Sequence, residues 1–235
     1  MARDVINQFL LKGRDTANSM FRARLEEESR QAVFALCSLP AGTGASGSTG
    51  GLHRLSFGQA VELCVASRDV CEATLEVVRQ FGATFPDDAF VIHVSLNKSM
   101  YSSLRTLTSM HSITPFPQLH KRSALREVVV HNTLELTALM ELVKTSVEEL
   151  HHLQGVDDRI NFKALVVFSG LNSLLLHQPR QSLDEVAPCL ETMSEKFNVL
   201  AVWISALNNP CPEVFARRCF SAKIPFASAF SQEHV

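Results

Sequence analysis

The run Gly42-Thr43-Gly44-Ala45-Ser46-Gly47-Ser48-Thr49 has nearly the spacing of a phosphate-cradling loop, GxxxxGK[ST]. In such a loop backbone N–H groups hold a phosphate, a lysine neutralises it and the last hydroxyl binds magnesium. Here Ser48 stands in the lysine position, and no convincing helix follows Thr49, although a phosphate cradle needs a helix N-terminus behind it. The match also lies inside a low-complexity stretch, residues 40–51, where such spacing arises by chance. The residues therefore favour a plain loop over a degenerate nucleotide loop of Gly42, Gly47, Ser48 and Thr49. No GxSxG, HExxH or GxGxxG sequence is present. His151-His152 falls at the end of an expected helix, where a cation suits the dipole better than a metal role would. His93 and His131 close two strand-like runs. Either one beside Cys37 or Cys189 would make a thiol–imidazole pair, but nothing in the spacing brings them together, and inert core cysteines are expected. The cations gather as Lys121-Arg122, as Arg180, and as Arg217-Arg218 with Lys223.

Short apolar runs and amphipathic stretches must position these groups. Residues 31–38 have strand length and lead into the Gly/Ser-rich loop. Ser56 with Gln59 has the form of a capping box, and the apolar residues Val61, Val65, Leu75 and Val78 then recur as on a helix, broken near Asp69 and ended by Gly82. Residues 89–95 form a strand, 100–110 a helix, and Pro115 and Pro117 a loop. Residues 127–131 are strand-like. Asn132 with Glu135 caps a helix whose apolar face is Leu136, Leu139, Met140, Val143, Val147 and Leu150, with Gly155 in the loop beyond. Residues 163–168 and 197–205 are continuous apolar runs, as in strands buried on both faces. Between them a helix starts at Ser182 or near Pro188. Strands alternating with long helices give an α/β class with a mostly parallel sheet. Residues 1–30 form an amphipathic helical segment interrupted near Gly13, and 31–235 form the α/β domain.

Composition restricts the partners. Of 235 residues, 46% are hydrophobic and 20% charged, which is enough apolar material for a core. A formal net charge of -2 supplies no global attraction for nucleic acid or an acidic membrane, so such contacts need a local basic patch. The six cysteines show no CxxC pair or zinc spacing, so reduced thiols in the nucleus and cytoplasm are expected, with no metal and no cofactor. No apolar stretch is long enough to span a membrane, and no membrane partner is expected. The late residues Phe197, Phe215, Phe220, Phe226 and Phe230 fill a core first and can face a partner second.

Four pieces in order carry a family resemblance: EVVVHNTLELTALMELV, ALVVFSGLNSLL, a helix, and FNVLAVWISAL. From Arg126 to about Phe226 they resemble the core of RecA-type recombinases and their paralogues, most nearly the small non-catalytic subunits of the yeast Shu complex. The resemblance implies a RecA-like three-layer fold. It also implies a metal-binding Asp at the end of the ALVVF strand, where Phe168-Ser169-Gly170 stands, and a glutamate after Val94, where Ser95-Leu96-Asn97 stands. With lysine, Asp and Glu all replaced, no hydrolysis is expected and the chain is not expected to be an enzyme. By this resemblance Arg180, and Arg217 and Arg218 with Lys223, correspond to the two DNA-facing loops at the C-terminal edge of the sheet, where parallel sheets bind ligands, and Lys121 and Arg122, ahead of the strand at 127–131, are further candidate DNA contacts. The implied partners are a second recombinase-paralogue subunit in an obligate heterodimer or larger complex, a recombinase filament, and DNA held weakly without regard to sequence. A structural subunit of an Elongator-type tRNA-modification assembly is the alternative, and an α/β hydrolase or thiol enzyme ranks below both.

Overall fold

A computed structural model describes residues 32–37, 51–66, 70–86, 89–95, 125–129, 136–156, 163–177 and 180–226, together with Met20. The rest of the segment 1–30, the loop 40–50, the helix expected at 100–110, Lys121 and Arg122, His131, the cap at Asn132 and Phe230 lie outside the described residues. The strands are β1 (Val33–Cys37), β2 (Leu52–Ser56), β3 (Ala60–Val65), β4 (Ala89–Ser95), β5 (Leu125–Val129), β6 (Lys163–Ser169), β7 (Leu200–Ala206) and β8 (Ala222–Pro225). The helices are α1 (Val70–Thr84), α2 (Leu136–Val156), α3 (Asn172–His177), α4 (Arg180–Glu191) and α5 (Glu213–Cys219). A π-helical turn, Thr192–Lys196, extends α4.

Six strands form one sheet in the order β5-β4-β6-β7-β3-β8, and every neighbouring pair is parallel. Alternate side chains therefore feed two separate cores. Val61, Leu63, Val65, Val91, Leu165, Val167, Val202 and Ile204 meet Ala73, Val77, Val78 and Phe81 of α1 and Phe34, Leu36 and Leu55 of the β1–β2 hairpin. Ile92, Val94, Val166, Phe168, Ala201 and Trp203 meet Leu136, Leu139, Met140, Val143 and Val147 of α2, Val186 and Leu190 of α4, and Phe215 of α5. Helices thus cover both faces, and the three-layer α/β class expected for a RecA-like chain is the fold observed.

Several local expectations are corrected. The Ser56–Gln59 capping box starts no helix. Ser56 ends β2, Gly58 turns the chain at φ +82°, and Ala60–Val65 is a strand buried throughout, paired on both sides by β7 and β8. Burial on both faces overrides helical spacing here, and the helix begins only at Val70. β1 stands outside the parallel sheet and pairs antiparallel with β2, Cys37 opposite Leu52. The 197–205 strand begins at Leu200, because Asn198 takes a left-handed φ of 52°. Residue 155 continues α2 to Val156 instead of ending it. Helix α4 starts at Arg180, ahead of Ser182, and holds Pro188 inside it. The proline removes one intrahelical hydrogen bond, and the π turn follows within the same helical run. The strand expected at 127–131 lies at Leu125–Val129.

The hairpin rests on α1 through rings. Phe81, fully buried, meets Phe34 at 5.3 Å, Phe57 at 6.1 Å and Phe85 at 5.0 Å between centroids. Gln80 adds a polar tie: its Oε1 accepts from Cys37 N at 2.8 Å and its Nε2 donates to Cys37 O at 3.0 Å. Replacing Phe81 with Ala should cost about 3–5 kcal/mol, the usual loss for a buried aromatic. Urea unfolding would read it, and a loss under about 1 kcal/mol would mean that the ring cluster collapses around the deletion.

Candidate functional site

All six parallel strands deliver their C-terminal ends to one edge, the usual ligand-binding edge of such sheets. The candidate nucleotide corner lies where β3 gives way to α1, with the end of β6 beside it. A phosphate cradle follows a strand and opens a helix. The segment with Gly42, Gly47, Ser48 and Thr49 instead joins β1 to β2, whose ends pair as Cys37 with Leu52, so a strand and not a helix follows it. The junction from β3 into α1 is Ala66-Ser67-Arg68-Asp69, without glycine or lysine.

At that corner a buried chain of neutral groups links three elements. His93 Nε2 of β4 lies 2.9 Å from Ser169 Oγ at the end of β6. Ser169 Oγ lies 3.1 Å from Thr74 Oγ1, and Thr74 Oγ1 lies 2.8 Å from Val70 O in the first turn of α1. Each hydroxyl has one proton, so one ordering serves all contacts: His93 donates to Ser169, Ser169 to Thr74, and Thr74 to the Val70 carbonyl. His93 is 0% and Ser169 1% exposed, so a substrate reaches neither. Burial pushes the His93 pKa down to about 4, which keeps the imidazole neutral at physiological pH. Where the resemblance implies a metal-binding Asp, the chain has Phe168, stacked on Trp203 at 5.1 Å, then Ser169, then Gly170 at φ +68°. Among the described residues no group of three or more His, Cys, Asp or Glu can hold a metal ion.

A second buried polar group lies on the opposite face. Asn172 Oδ1 accepts from Trp203 Nε1 at 2.7 Å and from Ser205 Oγ at 3.4 Å, and Asn172 Nδ2 donates to the Asn209 carbonyl. Glu62, at mid-strand in β3 and 0% exposed, accepts the Cys211 N–H at 3.1 Å through Oε1. Burial drives the Cys211 thiol far above the ordinary range. Nothing in the local sequence marks Asn172 or Glu62 as a buried polar centre.

His93 and Cys189 do not form the thiol–imidazole pair that the sequence disfavoured. His93 bonds to Ser169, while Cys189 Sγ donates to Met140 O at 3.5 Å and burial raises its pKa to about 11, which leaves an inert thiol. His151 packs edge-on against Phe197 at 5.2 Å. The late phenylalanines serve the core: Phe215 and Phe226 are buried, and Phe197 and Phe220 pack partly buried against it.

Within the expected basic patch, Arg217 and Arg218 are not at the C-terminal ends of the strands. Arg217 and Arg218 lie in the last turn of α5, and Ser221 N, just beyond, donates to Ala60 O at the start of β3. They therefore approach the N-terminal edge of the sheet, not the C-terminal edge, because α5 runs back across the face after β7. Arg217 pairs with Glu213, Arg218 with Asp184 of α4, and Lys223 with Glu62 at 3.4 Å. Partial burial opposes the Lys223 charge, but the Glu62 carboxylate outweighs it and raises the lysine pKa. Arg180 opens α4, four positions before Asp184.

No protein-family model and no curated protein matches the sequence. Among solved structures, the chain is similar to the RadB recombinase, at 14% identity and a TM-score of 0.47 over 70% of this chain and 73% of that one. It is also similar to a KaiC-like protein of the hyperthermophilic archaeon Pyrococcus horikoshii OT3, at 14% identity and a TM-score of 0.46 over 69% and 70%. Likeness at that level concerns the chain trace alone and adds nothing to the strand order above.

The His93 chain has a measurable pH signature. An unfolded imidazole titrates near 6.5 and the folded one near 4, so the unfolded state gains its proton first as pH falls. Stability from neutral His93 is present above pH 6.5 and is lost by about pH 4, to a total of about 3 kcal/mol. His93→Gln should be less stable than wild type at pH 7, and urea titrations should show that gap narrowing below pH 6.5. A gap that stays constant from pH 7 to pH 4.5 would contradict a buried neutral imidazole.

Proposed function

We propose that this chain is a non-catalytic, RecA-like subunit of a recombination-mediator complex, related to the yeast Shu subunit called chromosome segregation in meiosis protein 2. In this reading it holds DNA together with a second recombinase-paralogue subunit and assists a recombinase filament in homologous recombination repair and meiosis. The observation that carries it is a charge asymmetry in the sequence between two strands of the sheet. β4 ends at the C-terminal edge with Ser95, and the chain then takes residues 96–124 to reach its parallel neighbour β5. Between Leu96 and Arg126 stand Lys98, Arg105, Lys121, Arg122 and Arg126 without one Asp or Glu. That segment holds five of the 22 cations and none of the 24 carboxylates, which leaves 17 against 24 elsewhere. A basic segment on an otherwise acidic chain, rich in serine and threonine, suits a phosphate backbone.

A non-hydrolysing role is supported by the corner where β3 meets α1, which has a glycine-free junction and a neutral hydrogen-bond chain where phosphate and metal ligands would be needed. Arg217 and Arg218 belong to the proposed DNA surface in a lesser role. Both sit in exposed ion pairs, which are weak enough to be exchanged for phosphate.

Fluorescence anisotropy of the full chain with labelled duplex and single-stranded DNA tests this, read at several salt concentrations. Lys121→Ala with Arg122→Ala should lower the salt slope by about 1.8 log units per log unit of salt, and equally for unrelated sequences. Arg217→Ala with Arg218→Ala should lower it less. Binding that does not depend on salt, or no binding at all, would remove the DNA reading. Phosphate release from ATP above that of buffer would remove the non-catalytic one. A stable six-membered ring in native preparations would turn the assignment to an Elongator-type assembly.

A further inference from the structure

Glu62 is the least accommodated charge among the described residues. Its carboxylate is 0% exposed, although it lies inside a six-residue strand that is buried throughout. One oxygen takes the Cys211 N–H, and the other faces Lys223 Nζ at 3.4 Å. Lys223 comes from β8, four residues long and paired only with β3, in a register that sets Lys223 beside Glu62 and Pro225 beside Cys64. Its side chain is 54% exposed, so the ammonium reaches inward from the rim of the sheet. A buried carboxylate that loses its single cation must either be neutralised or meet water. The least costly route to water opens the strand that brought the cation, because β8 is short, is at the edge and has the fewest ladder bonds to lose.

We propose that Lys223 is a latch that holds the edge strand β8 on the sheet by compensating buried Glu62, and is not a phosphate-contacting cation. Loss of its charge releases β8 while the rest of the fold stays closed. A phosphate that recruited Lys223 would have to abandon Glu62 in the interior, so the ammonium is committed to the fold. Arg217 and Arg218 differ, since their acids are exposed and keep their water. The latch stands whether or not the chain binds DNA.

Native cysteines report on it. Cys64 and Cys211, both 4% exposed, border the Glu62 carboxylate, whereas Cys189 is buried on α4 against Met140. Iodoacetamide labelling of the full-length chain, read cysteine by cysteine by mass spectrometry, separates local opening from global opening. Lys223→Gln should speed labelling of Cys64 on the order of a hundredfold, with Cys189 unchanged. Lys223→Arg should stay near wild type. Lys223→Gln with Glu62→Gln should return Cys64 close to its original protection, because no buried charge is left to expose. An unchanged Cys64 rate in Lys223→Gln overturns the latch. So does Cys189 rising in step with Cys64, which would mean global unfolding, or fast Cys64 labelling that persists in the double variant, which would mean lost packing and not lost charge.

Discussion

Because every strand of the main sheet runs the same way, each connection must recross a face of the sheet before the next strand begins. That constraint forces helices onto both faces, buries the central strands twice over and gathers all six C-terminal ends on one edge. It explains why 89–95, 163–169 and 200–206 are apolar almost without interruption. The hairpin stands apart from that sheet: β1 and β2 pair only with each other, and they lie over α1 and close the core around Phe81.

The same constraint decides what the polar residues at the edge can do. A parallel sheet presents its strand ends to a ligand, but here the ends of β4 and β6 spend their polar groups on one another. His93, Ser169 and Thr74 satisfy each other out of solvent, and they pin the first turn of α1 to the sheet. A cradle for polyphosphate needs exposed N–H groups and a net positive field. A closed neutral chain supplies neither. The corner contributes a fixed geometry for whatever leaves the edge, and what leaves β4 is the basic connection.

The sequence made the central strands legible because burial on both faces leaves an unbroken apolar signature, and it made α2 legible because its stripe is regular. It misled at β3. AVELCV carries a glutamate in the middle, and that charge broke the apolar run while Ser56 and Gln59 imitated a helix start. The competing signals were Gly58 and the run's length, six residues between a turn and Asp69, which suits a strand. No local signal could have announced that Glu62 is compensated by Lys223, because the partners stand far apart in the chain and meet only when β8 docks. The His93 chain was hidden likewise, being assembled from three elements that only the strand order brings together. The position of Arg217 and Arg218 was hidden for a topological reason: α5 carries the residues after β7 back along the face, away from the edge where the strand ends.

Pairing, more than number, separates the cations that can serve a partner from those that cannot. Arg217 and Glu213 are 78% and 75% exposed, and Arg218 and Asp184 are 55% and 58% exposed. In high dielectric such pairs gain little and are readily exchanged, since each acid recovers its hydration when its partner leaves. Lys223 is 54% exposed but its acid is 0% exposed, so the same departure strands a charge in the interior. Exposure of the cation is nearly the same for Arg218 and Lys223, and the difference resides wholly in the carboxylate. Counting surface Lys and Arg therefore overstates the positive field on the α5–β8 rim, where each arginine and the lysine face a carboxylate. An external phosphate meets a net attraction only where cations outnumber acids locally. In the sequence, the stretch between Leu96 and Arg126 holds cations and no carboxylate.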